Sequence, residues 1–150
     1  MELKIKPLSA KLGREIPFPA YASDGAAGMD LRACIDEPVV IPAGGRVGIP
    51  TGFALALPGP EWAALVFARS GLAARQGICL ANGVGVIDSD YRGELIAALS
   101  NQSGEDYTVQ PGERVAQLVI LPVTQAHLTV TQTLDETERG AGGFGSTGKG

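Results

Sequence analysis

The sequence predicts an all-β domain, a jelly-roll-like sandwich or barrel with one short helix and a flexible glycine-rich C-terminal tail. Helical periodicity is almost absent. Short apolar or alternating runs recur instead, each ended by a Gly, Pro, Asn or Asp cluster, and strands punctuated every ~8–12 residues are the mark of a sandwich or barrel. Glycine supplies 21 of the 150 residues and proline another 10. Glycine is thus about twice its usual ~7%, so the chain turns often and its backbone approaches something closely.

The runs, in order, are Leu3–Lys6, Pro38–Ile41, Phe53–Leu57, Trp62–Phe67, Glu94–Leu99 and Arg114–Leu121. Ala126–Thr133 alternates cleanly, with Leu128 and Val130 on one face and Thr129 and Thr131 on the other, and reads as a further strand. One segment breaks the pattern. Ser70–Gln76 reads as a brief helix with Ser70 as its N-cap, Arg75 in its last turn and Gly77 as its stop. Residues 1–138 form the β domain. Residues 139–150 are a different material, six of the twelve being glycine, and alone would be disordered. No internal repeat is visible.

Composition narrows the function classes. A 45% hydrophobic chain of this length can bury roughly 70% of the surface it exposes when unfolded. Twelve Lys+Arg stand against sixteen Asp+Glu, a net charge of −4. Sequence-independent binding to DNA or RNA needs a cationic face, so no nucleic-acid partner is expected, whereas a small anion held by a few local groups is compatible. Cys34 and Cys79 lack CxxC spacing and read as buried free thiols of a reducing compartment, with one disulfide as the lesser alternative. The N-terminus shows no signal-peptide pattern, and no apolar run approaches the ~18 residues of a membrane span. A cytoplasmic protein without a membrane partner is the expectation.

The chemistry-bearing residues fall into a few groups. His127 is the sole histidine and lies in the alternating run, so a Ser-His-Asp or Cys-His site would have to use it; it reads instead as a solvent-facing or core-edge strand residue, and nucleophilic triads are dismissed. One His and two scattered Cys also serve zinc poorly; if a metal is present, oxygen ligands point to magnesium. The stretch Val86–Glu94 carries Asp88, Asp90 and Tyr91 after an apolar run. It reads either as a tight hairpin whose aspartates bond their own backbone, or as a site where one carboxylate is a general base or metal-water ligand beside the flat wall of Tyr91. Asn82 is a turn residue or a base-reading amide. Asp30, in Ala27–Ala33, is costly in a strand interior unless it is paired with Arg32 or another cation, or linked to a metal. Arg69, Ser70 and Gly71 combine a guanidinium, a hydroxyl and helix N–H groups into an anion site, and ordinary capping is compatible with it.

In the tail, Gly143–Lys149 matches G-x-x-x-x-G-K, but Gly150 replaces the Ser/Thr and no helix follows, so the P-loop reading fails. Arg139, Ser146, Thr147 and many backbone N–H groups remain to wrap a polyphosphate, with Phe144 able to stack on a base; a functionless terminus is the bland alternative. Together these groups describe a nucleoside polyphosphate hydrolase that uses activated water.

Five segments appear in one order: AGMDLRA at Ala27–Ala33, ARSGLA at Ala68–Ala73, NGVGVIDSDYRGE at Asn82–Glu94, GERVAQLV at Gly112–Val119 and RGAGGFGSTG at Arg139–Gly148. On them the chain resembles the homotrimeric dUTPases (dUTP diphosphatases), nearly throughout its length. The resemblance implies a jelly-roll homotrimer with three active sites at subunit interfaces. It implies Mg²⁺-dependent hydrolysis of dUTP to dUMP and pyrophosphate, which keeps uracil out of DNA and supplies dUMP for thymidylate synthesis.

By the same resemblance, Asp88 would deprotonate the water that attacks the α-phosphorus, with Gln117 helping to hold it. Asp30 would meet Mg²⁺ through water. Arg69, Ser70 and Gly71 would bind phosphates, Asn82 and the hairpin backbone would read uracil, and Tyr91 would pack on the deoxyribose and exclude a 2′-hydroxyl. Phe144 would stack on the base while Arg139, Ser146 and Thr147 close on the γ-phosphate. Ala68 departs from the family's usual proline, which removes no functional group. Rival expectations are a dCTP deaminase on the same fold, argued against by the ordered motifs, a non-catalytic trimeric binding protein and a β-sandwich interaction module.

Overall fold

The computed structural model describes residues 1–143. Eleven strands and one helix follow in the order β1 (Lys4–Pro7), β2 (Met29–Arg32), β3 (Val39–Ile41), β4 (Arg46–Pro50), β5 (Phe53–Ala56), β6 (Trp62–Ala68), α1 (Ser70–Gln76), β7 (Ile78–Leu80), β8 (Gly85–Ile87), β9 (Ile96–Asn101), β10 (Tyr107–Val109) and β11 (Arg114–Pro122). All pairings are antiparallel, in four small sheets ordered β1-β5, β3-β10, β2-β11-β6-β8 and β4-β9-β7. This is the predicted all-β class, a jelly-roll.

Alternation along the strands selects what is buried. In β9, Ala97, Leu99 and Asn101 point inward while Ile96 is exposed, the half-buried period-2 pattern of a sheet with one dry face. Phe53, Leu31, Ile49, Leu99 and Leu118, each at most 1% exposed, sit at the centre of the core. Two polar side chains share it and both are fully partnered. Thr51 Oγ1 donates to the Leu95 carbonyl at 2.7 Å. Asn101 Nδ2 donates to Ile41 and Glu105 carbonyls at 2.9 and 2.7 Å while its Oδ1 accepts from Ser103. Unpaired, either amide end would cost about 1–3 kcal/mol, so Asn101 ties β9 to the β3 strand and the turn before β10.

The helix spans the residues expected and stops where expected, at Gly77, whose φ of 66° closes the last turn by N–H donation to the Ala73 and Leu72 carbonyls. Its start differs. Arg69, extended at φ −83° and ψ 129°, is the N-cap, and no side chain caps the helix. Ser70 is already the first helical residue. Its hydroxyl is thereby not used on the helix it begins.

The alternating run Ala126–Thr133 forms no strand in this chain. After β11 ends at Pro122, residues 123–140 are exposed, with Leu128 at 87% and Val130 at 99%. The pattern suits a strand, but a strand needs a neighbour to satisfy its N–H and C=O groups, and the described residues offer none there. Both cysteines are free and half-buried.

Candidate active site

The residues expected to carry chemistry sort into two places. The first is a cleft of about 700 Å³ at one end of the β2-β11-β6 sheet, lined by Gly28, Asp30, Arg69, Ser70, Gly71, Tyr107, Glu113, Arg114 and Gln117 among others. Strand register builds it. Gln117 pairs directly with Asp30 across β11 and β2, so the two side chains share a face, while β6 runs out of the sheet at Ala68 and delivers Arg69 and α1 to the same end. Gln117 is held by donation from Nε2 to the Ala68 carbonyl at 3.0 Å. Gly28 gives Gln117 room: a Cβ there would stand 3.1 Å from Gln117 Oε1 and 3.3 Å from Val119, a tight fit that either side chain would have to ease.

Asp30 is not paired with Arg32, whose Nη1 donates to the Gly112 carbonyl instead. Its Oδ1 accepts from Arg69 Nε at 2.9 Å and its Oδ2 from Arg114 Nη1 at 3.2 Å. Arg114 was not singled out from the sequence. The available signal was the adjacent apolar pair Val115–Ala116 between Arg114 and Gln117, where strict alternation would place one apolar residue or three.

On the far wall, Glu113 accepts from the Tyr107 hydroxyl and from the Gln110 N–H at 2.8 Å. Burial, then the hydrogen bond to Glu113 and its charge, push the Tyr107 phenol well above its ordinary range. Ionisation is therefore easier in the unfolded chain, whose phenol titrates near ~10. Stability is fully present below that pH and is lost as pH rises above it. Wild-type melting temperature should fall more steeply above about pH 10 than that of Tyr107→Phe; parallel curves would remove this role.

The second place is the turn that follows β8, which is not the expected hairpin, because β8 pairs with β6 whereas β7 and β9 lie in another sheet. A hollow of about 190 Å³ is lined by Val86, Ile87, Asp88, Tyr91, Glu94 and Ile96. The Tyr91 N–H donates to the Asp88 carbonyl at 3.2 Å and the Tyr91 hydroxyl to the Glu94 carbonyl at 3.0 Å, closing the turn. Gly93 permits that fold-back, because a Cβ there would collide with the Tyr91 ring. Asn82 is exposed in the turn between β7 and β8. Asp90 is exposed as well and lines neither pocket.

The two places are separate within one chain. Ile87 pairs with Ala64, five positions before Arg69 along β6, a distance of roughly 16 Å at ~3.3 Å per residue. Arg69 lies near one end of β6 and Asp88 beside the other. Arg139 is exposed, its Nε donating to the Gly142 carbonyl at 2.9 Å. Phe144, Ser146 and Thr147 lie outside the described residues, and His127 is exposed on the segment after β11.

A family model described as dUTPase matches residues 14–148 of the chain. The chain belongs to the dUTPase family. It is accordingly a hydrolase. It is 51% identical over 146 residues to the deoxyuridine 5′-triphosphate nucleotidohydrolase of Hahella chejuensis, covering 97% of this chain and 96% of that one. The protein of the same description from Idiomarina loihiensis is 48% identical over 148 residues, covering 99% and 98%. Among solved structures, the Staphylococcus bacteriophage 80alpha dUTPase with dUPNHPP matches with a TM-score of 0.86 at 26% identity, covering 99% of both chains. The enzyme's five motif segments map onto the two places just described and onto the tail, with the second and fourth motifs meeting at Asp30.

Proposed function

We propose that this enzyme hydrolyses dUTP to dUMP and pyrophosphate with Mg²⁺, as a homotrimer whose sites lie between subunits. The observation that carries the reading is the Asp30 cleft. Three arginines (Arg69, Arg75 and Arg114), the Ser70 and Tyr107 hydroxyls and the Gln76 and Gln117 carboxamides line one volume of polyphosphate size, and no Cys or His lines it among the described residues. Such a set binds phosphates and holds water, and offers no thiol or imidazole for covalent catalysis.

Asp88 takes a proton from the water held with the help of Gln117. The water oxygen bonds to the α-phosphorus as the bond to the bridging oxygen breaks, and pyrophosphate leaves. Arg69, Ser70 and Gly71 bind the phosphates. Asn82 and the neighbouring backbone read uracil, with no room for a 5-methyl group, and Tyr91 packs on the deoxyribose. Phe144 covers the base while Arg139, Ser146 and Thr147 close on the γ-phosphate, residues 139–150 acting as a lid on the β domain. The described residues contain no group of three or more His, Cys, Asp or Glu near enough to cage a metal, and Asp30 already serves two arginines. This donor set fits a hydrated Mg²⁺ carried by the triphosphate, with Asp30 meeting its water shell; bound there, the ion would neutralise phosphate charge.

The separation of Asp88 from Arg69 supports sites shared between subunits, since a triphosphate does not bridge the two places within one chain. The exposed 123–138 segment supports it too, its strand-like alternation suiting a neighbouring copy. No helix is long and apolar enough to cross a membrane among the described residues; a cytoplasmic setting is part of the proposal. The test is pyrophosphate release with Mg²⁺ from dUTP, UTP, dTTP and dCTP in separate reactions. Release from dUTP alone is expected. Ammonia from dCTP would favour the deaminase reading, and no product from any of the four would favour a binding protein.

A further inference from the structure

Arg114 owes its place to a fault in strand register. β11 pairs Gln117 with Asp30 and Ala116 with Leu31, but the next pair is Arg114 with Arg32, leaving Val115 as an extra residue on β11. In an unbroken strand, residues three apart face opposite sides of the sheet, and Arg114 would point away from Gln117. The bulge adds one residue and returns Arg114 to the face of Asp30 and Gln117, as bulges near active sites do. Val115 and Ala116 are buried in succession, at 1% and 0% exposure, as the bulge requires.

The consequence falls on Asp30. A carboxylate turns easily about its last torsion, which is broad and nearly two-fold. Arg69 holds it by one bond only, from Nε to Oδ1, so Arg69 alone does not fix its plane. Arg114 takes the other oxygen. With both oxygens claimed the carboxylate is locked, and the Arg69 guanidinium is held in one orientation by it and by the Arg114 carbonyl, which accepts from Arg69 Nη1 at 3.5 Å. The side chains of Asp30 and Arg69 are 21% and 28% exposed, sheltered enough for this geometry to persist.

We propose that Arg114 is a positioning residue for triphosphate binding: by holding Asp30 Oδ2 it locks the carboxylate that orients Arg69 towards the phosphates. This rests on reading the cleft as the triphosphate site. The Arg114 carbonyl contact survives any side-chain change, so among the hydrogen bonds that hold Asp30 and Arg69 substitution removes only the one to Asp30 Oδ2; the cycle with Asp30→Asn separates that route from a direct contact of this cleft-lining guanidinium with phosphate.

The experiment is a double-mutant cycle in the full-length chain with Mg²⁺, using Arg114→Gln, Asp30→Asn and the pair. It reads calorimetric Kd for α,β-imido-dUTP and for dUMP, which lacks the β- and γ-phosphates, together with kcat and KM for dUTP. Arg114→Gln is expected to weaken imido-dUTP about tenfold, raising KM more than it lowers kcat, with dUMP affinity within about twofold of wild type. In the Asp30→Asn background the same change should cost less than about twofold more, because the route through Asp30 is already gone. Arg114→Lys, which keeps one bond to Oδ2, should recover part of the loss, and it carries the test if Arg114→Gln melts early.

Unchanged imido-dUTP affinity in Arg114→Gln would overturn the proposal. So would a loss that adds in full to that of Asp30→Asn, since Arg114 would then be touching phosphate itself. A wild-type chain that ignores imido-dUTP would defeat the functional reading separately; inorganic tripolyphosphate, used in the same cycle, would still decide for or against Arg114.

Discussion

Replacing Asp88 with asparagine is expected to cut pyrophosphate release from dUTP by about 10³-fold, within the range that loss of a positioned general base produces. Melting temperature should not move. Asp88 is exposed at the end of β8, and among the described residues its carboxylate makes no hydrogen bond or ion pair. Its backbone carbonyl, which closes the turn with Tyr91, is untouched by the substitution. Asparagine keeps the shape and loses only the ability to accept a proton. Affinity for the imido analogue should therefore stay near wild type while kcat falls, the pattern of an interaction used in the transition state. Turnover retained at more than about a tenth of wild type would take Asp88 out of the mechanism.

Ending the chain after Glu138 should be nearly as damaging, lowering turnover about 10²–10³-fold, because a closing segment excludes water and completes the phosphate contacts. The folded body should be unaffected. Residues 123–140 are exposed and none belongs to the core around Phe53 and Leu118. The truncated chain should keep its thermal midpoint and its assembly state in sedimentation, while kcat collapses and KM for dUTP rises. Full activity in the truncated chain would make residues 139–150 a tail without function. The interaction-module reading predicts instead that nucleotide leaves the protease sensitivity of the tail unchanged.

Much of the fold was legible along the chain. The runs at 38–41, 53–57, 62–67 and 114–121 became β3, β5, β6 and β11 with ends moved by a residue or two, since each combines β-prone apolar residues with firm turn signals. Strands such as β4 and β10 escaped notice. Arg46–Pro50 carries a glycine and ends in proline, and Tyr107–Val109 is three residues long; their strand state comes from the β9 and β3 partners they meet. Ala126–Thr133 failed in the opposite sense. Its local pattern is right for a strand, yet pairing is a property of two segments and the described residues supply one.

The candidate site divides along the same line. Residue types and motif order pointed to the family and to Asp30, Arg69, Gln117 and Asp88, because chemistry needs particular functional groups and these are written residue by residue. Helix α1 was equally local: seven residues ended by Gly77, whose left-handed conformation demands little of the rest of the protein. Which groups meet was another matter. That Asp30 joins Arg69 and Arg114 rather than Arg32, that Val115 is bulged out, and that Asp88 stands at the far end of β6 follow from register. Register is chosen by the burial of Leu31, Ala116 and Leu118 against a shared core, an energy summed over distant partners, and a shift of one residue turns every side chain to the other face.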